Sequence, residues 1–448
     1  MTDRGEGTVE SAPATANPRW RGEIVGRSEV VTFALVMVVV TTSFLGRLSF
    51  ELWGFTVRGE QVAPIILVGW LLVDPRRRHD FVHTLRHPAV VALAAFIVWN
   101  VFASFLFSPS LTKSISILAW FAIDLLLLAG LMSLGERAVW AERIGIRFVV
   151  PWAAAGFAMY LVANVSGGNV AWGTDLDSLY QVYVARLTAG EANIYASILV
   201  LWTLLLVAGK GYKRRWMIVA AVTVPLGLVG SQTRTAVFCM ILGLAVYVGY
   251  EFARRRRHTR WRGEFWFGPA AIIVGVLVAY GASSNLPEFG VAETAPAVQD
   301  TTVPQTQDKL GDVNLQGGTI GFRVTVAKVA AEDMNGVNLW LGNGTNTFGV
   351  RHEQPGSPGV PGHLIMLPVQ ILYDVGIVGL SLILVFGAVV LYHVPWRRRP
   401  IAAAVAVSFL TAATLTSMFW FSAIWIVFAA LLRPVTDDER VESPQLYS

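Results

Sequence analysis

Long apolar blocks alternate with short basic or glycine-rich interruptions along this chain. Twelve blocks can be drawn, at 30–46, 61–74, 88–108, 114–134, 148–166, 193–209, 216–231, 234–252, 267–282, 363–392, 401–417 and 419–432. The last two read equally as one bent hairpin. An α-helix needs about 20 apolar residues to cross a hydrocarbon core. The pattern therefore predicts an all-α polytopic membrane protein of about 12 transmembrane helices. No small-residue cleavage site follows the first block, so Val30–Leu45 is expected to be a retained span rather than a signal peptide.

Composition agrees. Of 448 residues, 54% are hydrophobic and 15% charged, with mean hydropathy +0.55; water-soluble domains carry about a quarter charged residues. A net charge of +5 and a pI near 9.4 would also suit nucleic acid, but the basic residues follow the loops instead. Clusters at 76–87, 136–147, 210–215, 254–262 and 396–399, with both termini, hold 26 of the 35 Lys and Arg. The positive-inside rule places these in the cytoplasm, with an even span count. The expected organisation is a disordered cytoplasmic tail at 1–28, a bundle of nine spans at 29–282, an extracytoplasmic loop at 283–362, three spans at 363–433 and a cytoplasmic tail at 434–448. The lone Cys239 rules out an internal disulfide and reads as a small buried residue.

The long loop holds eight acidic and four basic residues. It has too few apolar positions for a separate domain. Its stretch "GFRVTVAKVAAEDM" predicts a helical patch with Phe322, Val326 and Val329 on one face. Glycines and prolines dominate the rest, and "GVPGH" brings His363 to the start of a span. No internal repeat of the transporter kind is visible.

Nine basic residues face outward on this topology. Arg234, in "GSQTRTAVF", is either a snorkelling anchor or an anion ligand beside Ser231 and Thr233. Arg323 opens the helical patch and is either a solvated residue or a second ligand. Arg186 precedes a span near Asn193. Three guanidinium forks at one face would suit a diphosphate, which they can grip with paired hydrogen bonds. His363 could accept or orient a proton near neutral pH; His352 lies in the same loop. Asp124 is an intramembrane carboxylate, a functional suspect or a hydrogen-bonded structural group. Asp374 reads as hydrogen-bonded within the bundle. His79, His83 and His87 would align on a helix, as a metal site or as a headgroup-facing segment, which is the reading preferred here.

The order of three stretches resembles the O-antigen ligase and polymerase superfamily. "ARLTAGEANIYASILVL" is similar to its arginine–glycine–asparagine lead into a span. "GSQTRTAVFCMILGLAV" is similar to its S-x-[ST]-R pattern. "GFRVTVAKVAAEDMNGVNLWLGNGTNTFG" followed by "HLIMLPVQILYDVGIVGLSLIL" is similar to its arginine-led helix, G-x-G turn and histidine-opened span. The likeness covers roughly 180–395 and departs at Leu364, where the family has Asn, and at Asp374, where it has Glu.

The resemblance implies a helical bundle like that of C-type glycosyltransferases. It implies transfer or polymerisation of undecaprenyl-diphosphate-linked glycans at the outer face of the bacterial cytoplasmic membrane, with no metal or other cofactor. Catalysis would rest on His363, Arg234 and Arg323. Arg186, Asn193, Ser231, Thr233, Gly342, Gly344 and His352 would bind substrate. A glycan, lipid or protein would be the acceptor, and in-line displacement predicts inversion. Two other functions remain open: an enzyme using a polyprenyl-monophosphate sugar, with Glu51 and Glu60 as its acidic pair, or a polysaccharide or lipid transporter.

Overall fold

The structure, a computed structural model, describes residues 26–46, 49–52, 55–170, 173–177, 182–189, 191–209, 214–256, 264–283, 318–352 and 364–436. It begins with α1 (Arg27–Phe44), a hairpin of β1 (Ser49–Leu52) and β2 (Phe55–Arg58), then α2 (Gly59–Val73) and α3 (Pro75–Thr84). Next come α4 (Pro88–Phe107), α5 (Leu111–Ser133) and α6 (Val139–Ser166). A second hairpin, β3 (Thr174–Asp177) and β4 (Val182–Ala185), precedes α7 (Ala192–Ala208), α8 (Arg214–Ser231), α9 (Arg234–Arg256) and α10 (Glu264–Ser283). Three helices follow in the polar segment: α11 (Gly318–Asp333), α12 (Gly336–Leu341) and α13 (Phe348–His352). The chain then returns through α14 (Leu367–His393), α15 (Arg399–Ala413) and α16 (Ser422–Leu432).

Each of the twelve apolar blocks carries a helix, yet among the described residues six, α4, α5, α6, α9, α10 and α14, are long and apolar enough to cross a membrane. Helices α1, α2, α7, α8 and α16 are apolar but shorter, and α15 has 15 residues. The chain is a mostly helical, multi-pass membrane protein. Hydropathy counts apolar residues without sensing where a helix stops. The break at 414–421, between α15 and α16, falls where the blocks 401–417 and 419–432 meet.

The two antiparallel hairpins, paired Ser49↔Arg58 and Thr174↔Ala185 at their outer ends, are additions to the expected all-helical pattern. The aromatic and β-branched residues of "FTVR" and "VYVA" suit a strand, but four residues leave no trace in a span-length window.

Helix α7 is the centre of the bundle. Every residue from Ile194 to Leu206 is buried, as expected of a helix that is apolar all round. It packs against α6, α8, α9, α15 and α16. Gly145 of α6 makes room for Trp202, whose ring a Cβ at that position would overlap. Across one end of the bundle, Glu142 of α6 accepts from Arg398 Nη2 and Arg433 Nε, both at 2.7 Å. All three are buried, so a fully desolvated charge cluster ties α6 to the lead-in of α15 and the end of α16.

The expected patch in the polar segment is α11. Val326 and Val329 share a buried face with Ala330, packed on Phe348, Leu364 and Tyr373. The side chain of Phe322 lies outside the described residues, as do residues 284–317 and 353–363, and with them His363. Cys239 is buried as read. The His79–His83–His87 alignment is corrected: α3 stops at Thr84, and His87 caps α4, its Nδ1 accepting from Ala89 N–H at 3.2 Å. Pro88 forces that boundary, because a residue before proline avoids the helical region.

Candidate functional site

Helix α14 is interrupted at Gly376, whose φ of 65° and ψ of −170° are non-helical. A break inside an apolar helix frees main-chain carbonyls that need donors. Three arrive from elsewhere. Asn343 N–H donates to the Tyr373 carbonyl at 2.8 Å and Gly344 N–H to the Asp374 carbonyl at 2.9 Å. The indole N–H of Trp99, on α4, donates to the Val375 carbonyl at 2.9 Å. Gly342 and Gly344 have φ of 89° and 91°, and both are buried. The G-x-G turn and the D-x-G helix therefore dock as two halves of one joint. Other polar groups of the loop are also met, although Asn343 Oδ1 is buried with no partner among the described residues. Thr345 bonds Ser104 and Asn100 at 3.0 and 3.1 Å, and its carbonyl accepts from Ser114 at 2.6 Å. The Asp374 carboxylate accepts from the Asn346 N–H.

Arg323 sits on α11 with 8% of its surface exposed, and its Nε is buried without a hydrogen-bond partner. Burial lowers the stability of its charge and pulls its pKa down; the nearby Glu191 carboxylate opposes this. Arg323 lines a small depression with Val326, Leu364, Ile365, Met366 and Val369. Leu364 is the residue after His363. Glu191 stands immediately before α7, two residues from Asn193, whose carbonyl accepts from Ser197 Oγ at 2.7 Å. The start of α7, the arginine of α11 and the lead-in to α14 are thus brought together.

Arg234 opens α9 and is exposed. It lies within electrostatic reach of Tyr280 near the end of α10, whose hydroxyl bonds the Leu228 carbonyl at 3.4 Å. The turn before it is held by its own side chains. Ser231 Oγ donates to the Leu228 carbonyl at 2.7 Å and accepts from Thr233 N–H at 3.3 Å, while Thr233 Oγ1 donates to the Ser231 carbonyl at 3.1 Å. Between them Gln232, at φ 52°, reaches the Tyr160 hydroxyl of α6 at 3.4 Å. Ser231 and Thr233 therefore shape the turn that presents Arg234. This turn and the Arg323 depression lie at the end of the bundle where α6, α8 and α10 finish and α7, α9 and α14 begin.

The remaining candidates are engaged within the fold. Arg186 Nη1 pairs with Asp175 at 2.7 Å, though its Nε is buried and unpartnered. His352 Nε2 lies 2.7 Å from Asp333 Oδ2, and the same oxygen accepts from the Tyr373 hydroxyl at 2.9 Å. Asp124 accepts from Ser422 at 3.1 Å. Of the monophosphate-sugar pair, Glu60 is buried 3.5 Å from Arg58 Nη1, and the side chain of Glu51 lies outside the described residues.

Sequence reading missed the acidic partners Glu191, Asp175 and Asp333. Two of them lie inside or beside stretches chosen for their arginines, and an opposite charge there was the available signal. No family model matches the chain, and no curated protein matches it.

Proposed function

We propose that this protein transfers or polymerises undecaprenyl-diphosphate-linked glycans at the outer face of the bacterial cytoplasmic membrane, as an inverting glycosyltransferase of the O-antigen ligase and polymerase kind. In this reading the twelve helical blocks form the membrane bundle, both termini are cytoplasmic, and the segment 283–362 roofs an outer cavity. An acceptor hydroxyl of a glycan, lipid or protein attacks the anomeric carbon, and undecaprenyl diphosphate leaves. Arg323 and Arg234, assisted by Arg186, stabilise the charge that gathers on the diphosphate, where a partly dry site strengthens each contact. His363 orients the acceptor or takes its proton.

The observation that supports this best is Arg323. A guanidinium is rarely buried without satisfying its donors, and among the described residues this one keeps a buried Nε without a partner beside a depression also lined by Leu364, the neighbour of His363. An anion there supplies the missing acceptor, and Arg323 brings a fork that a lysine cannot copy.

The test uses Arg234→Ala, Arg323→Ala, Arg323→Lys and His363→Ala at matched membrane abundance. Loss of a transition-state donor or a base costs about 10²–10³-fold and about 10²–10⁴-fold respectively, so each variant is expected to fall by at least about 100-fold in glycan transfer. Transfer near the wild-type rate in all four contradicts the assignment.

A second reading, transport, draws support from the break at 414–421. Two short helices meet there inside the bundle, with Ser417 Oγ 2.5 Å from Gln370 Oε1, and discontinuous helices of this kind line substrate sites in transporters. Glycan movement across reconstituted vesicles without a new glycosidic bond favours it.

A further inference from the structure

Two carboxylates meet in the bundle interior on helices that carry none of the arginines above. Glu60 in the first turn of α2 and Asp124 within α5 are 3% and 2% exposed, and Ser422 Oγ reaches both residues, donating to Asp124 Oδ1 and lying 3.5 Å from the Glu60 carbonyl. Each spends one oxygen on a neighbour. Glu60 Oε1 lies 3.5 Å from Arg58 Nη1, and that guanidinium stacks on Trp120 at 4.5 Å. Asp124 Oδ1 accepts from Ser422 Oγ at 3.1 Å. Ser422 is the first residue of α16, so the Asp124 carboxylate also faces the positive end of an 11-residue helix. Trp425, one turn along α16, donates its indole N–H to the Phe419 carbonyl at 2.8 Å and stands within reach of the Asp124 carboxylate.

The second oxygens, Glu60 Oε2 and Asp124 Oδ2, are buried with no hydrogen-bond partner among the described residues. Arg58 is the charged group that faces Glu60. Among the described residues, one guanidinium against two carboxylates leaves one negative charge uncompensated in an apolar interior. Buried charges are retained there only when paired, and unpartnered buried oxygens are rare.

We propose that Glu60 and Asp124 together bind one monovalent cation, H⁺ or Na⁺, between Glu60 Oε2 and Asp124 Oδ2. The ion restores neutrality and gives both oxygens a partner. It also fixes the start of α16, and with it the broken stretch 414–421 that reaches α14 through Ser417 and Gln370. The site is independent of the proposed glycan chemistry, so its failure leaves that reading untouched.

The full-length protein in detergent, with Glu60→Gln and Asp124→Asn, tests this by thermal melting across pH and in NaCl against choline chloride. If the bound ion is H⁺, the wild-type Tm falls as pH rises and the pair gives up its proton, and both variants lose that alkaline fall. If it is Na⁺, NaCl raises the wild-type Tm above choline chloride and leaves the variants unmoved. Dicyclohexylcarbodiimide, which adds to a protonated carboxyl in an apolar setting, gives a second readout by peptide mass spectrometry. A proton site yields an adduct on Glu60 or Asp124 that falls about tenfold per pH unit once the pair ionises. A sodium site yields one that NaCl suppresses. Identical Tm responses in wild type and both variants overturn the proposal. Should the variants not fold, absence of an adduct on either wild-type carboxylate overturns it.

Discussion

The main-chain N–H of Gly344 donates to the Asp374 carbonyl at 2.9 Å, across 30 positions of sequence. That bond closes the gap that Gly376 opens in α14, and it makes the G-x-G turn and the D-x-G helix one structural unit. Two short motifs that read as separate signs of substrate binding are joined here by the need to satisfy main-chain carbonyls in an apolar interior.

Gly376→Ala is predicted to destabilise the protein. A residue with a Cβ at φ 65° and ψ −170° carries about 1–3 kcal/mol of backbone strain, and its methyl group would overlap the Trp340 carbonyl. Thermal melting in detergent measures the loss. An unchanged Tm is incompatible with the joint.

Removing the acid from the buried Arg398–Glu142–Arg433 cluster leaves two guanidinium groups facing each other. Losing one partner of a buried ion pair costs about 3–5 kcal/mol. Glu142→Gln is therefore expected to reduce folded protein in the membrane sharply, which detergent-extractable monodisperse protein reports. Full yield and an unaltered Tm count against the cluster as a clamp.

The Asp333 carboxylate holds both His352 and Tyr373. Tyr373→Phe deletes one donor while keeping the ring against Phe348, at a cost of about 1 kcal/mol. Combined with His352→Gln, it should show a coupling in a double-mutant cycle, since the two donors share Asp333 Oδ2. Strict additivity means that the three groups do not act as a unit.

Much of the fold was legible because hydrophobic burial repeats at a scale the eye can follow. The central position of α7 follows from a helix with no polar stripe. The break at Gly376 did not show, since it lies inside one continuous apolar block, whereas residues 414–421 fall at the junction of the blocks 401–417 and 419–432. The site was legible in its arginines and not in their partners. Arg186 reads as a free cation until Asp175 folds back on it through a four-residue hairpin. Arg323 reads as a solvated residue until α11 packs its face on Leu364 and Tyr373. Such outcomes depend on tertiary contacts with no local pattern.

His87 gives a pH dependence of known sign. Burial, with His393 beside it, lowers its pKa below the ordinary value of 6.5. Well above that value the imidazole is neutral in folded and unfolded chains and contributes nothing. As pH falls through 6.5 the unfolded chain takes up a proton first, so stability declines toward acid. His87→Asn keeps a capping side chain and is predicted to flatten the fall in Tm below about pH 6.5. The same acid slope in the variant would locate the sensitivity elsewhere.

The most direct measurement uses purified protein in liposomes with an undecaprenyl-diphosphate-linked oligosaccharide and a glycan acceptor. The account predicts a new glycosidic bond, of inverted anomeric configuration, formed one-for-one with free undecaprenyl diphosphate and lost in Arg323→Ala. Consumption of a polyprenyl-monophosphate sugar instead, or glycan crossing the bilayer with its diphosphate bond intact, would contradict it.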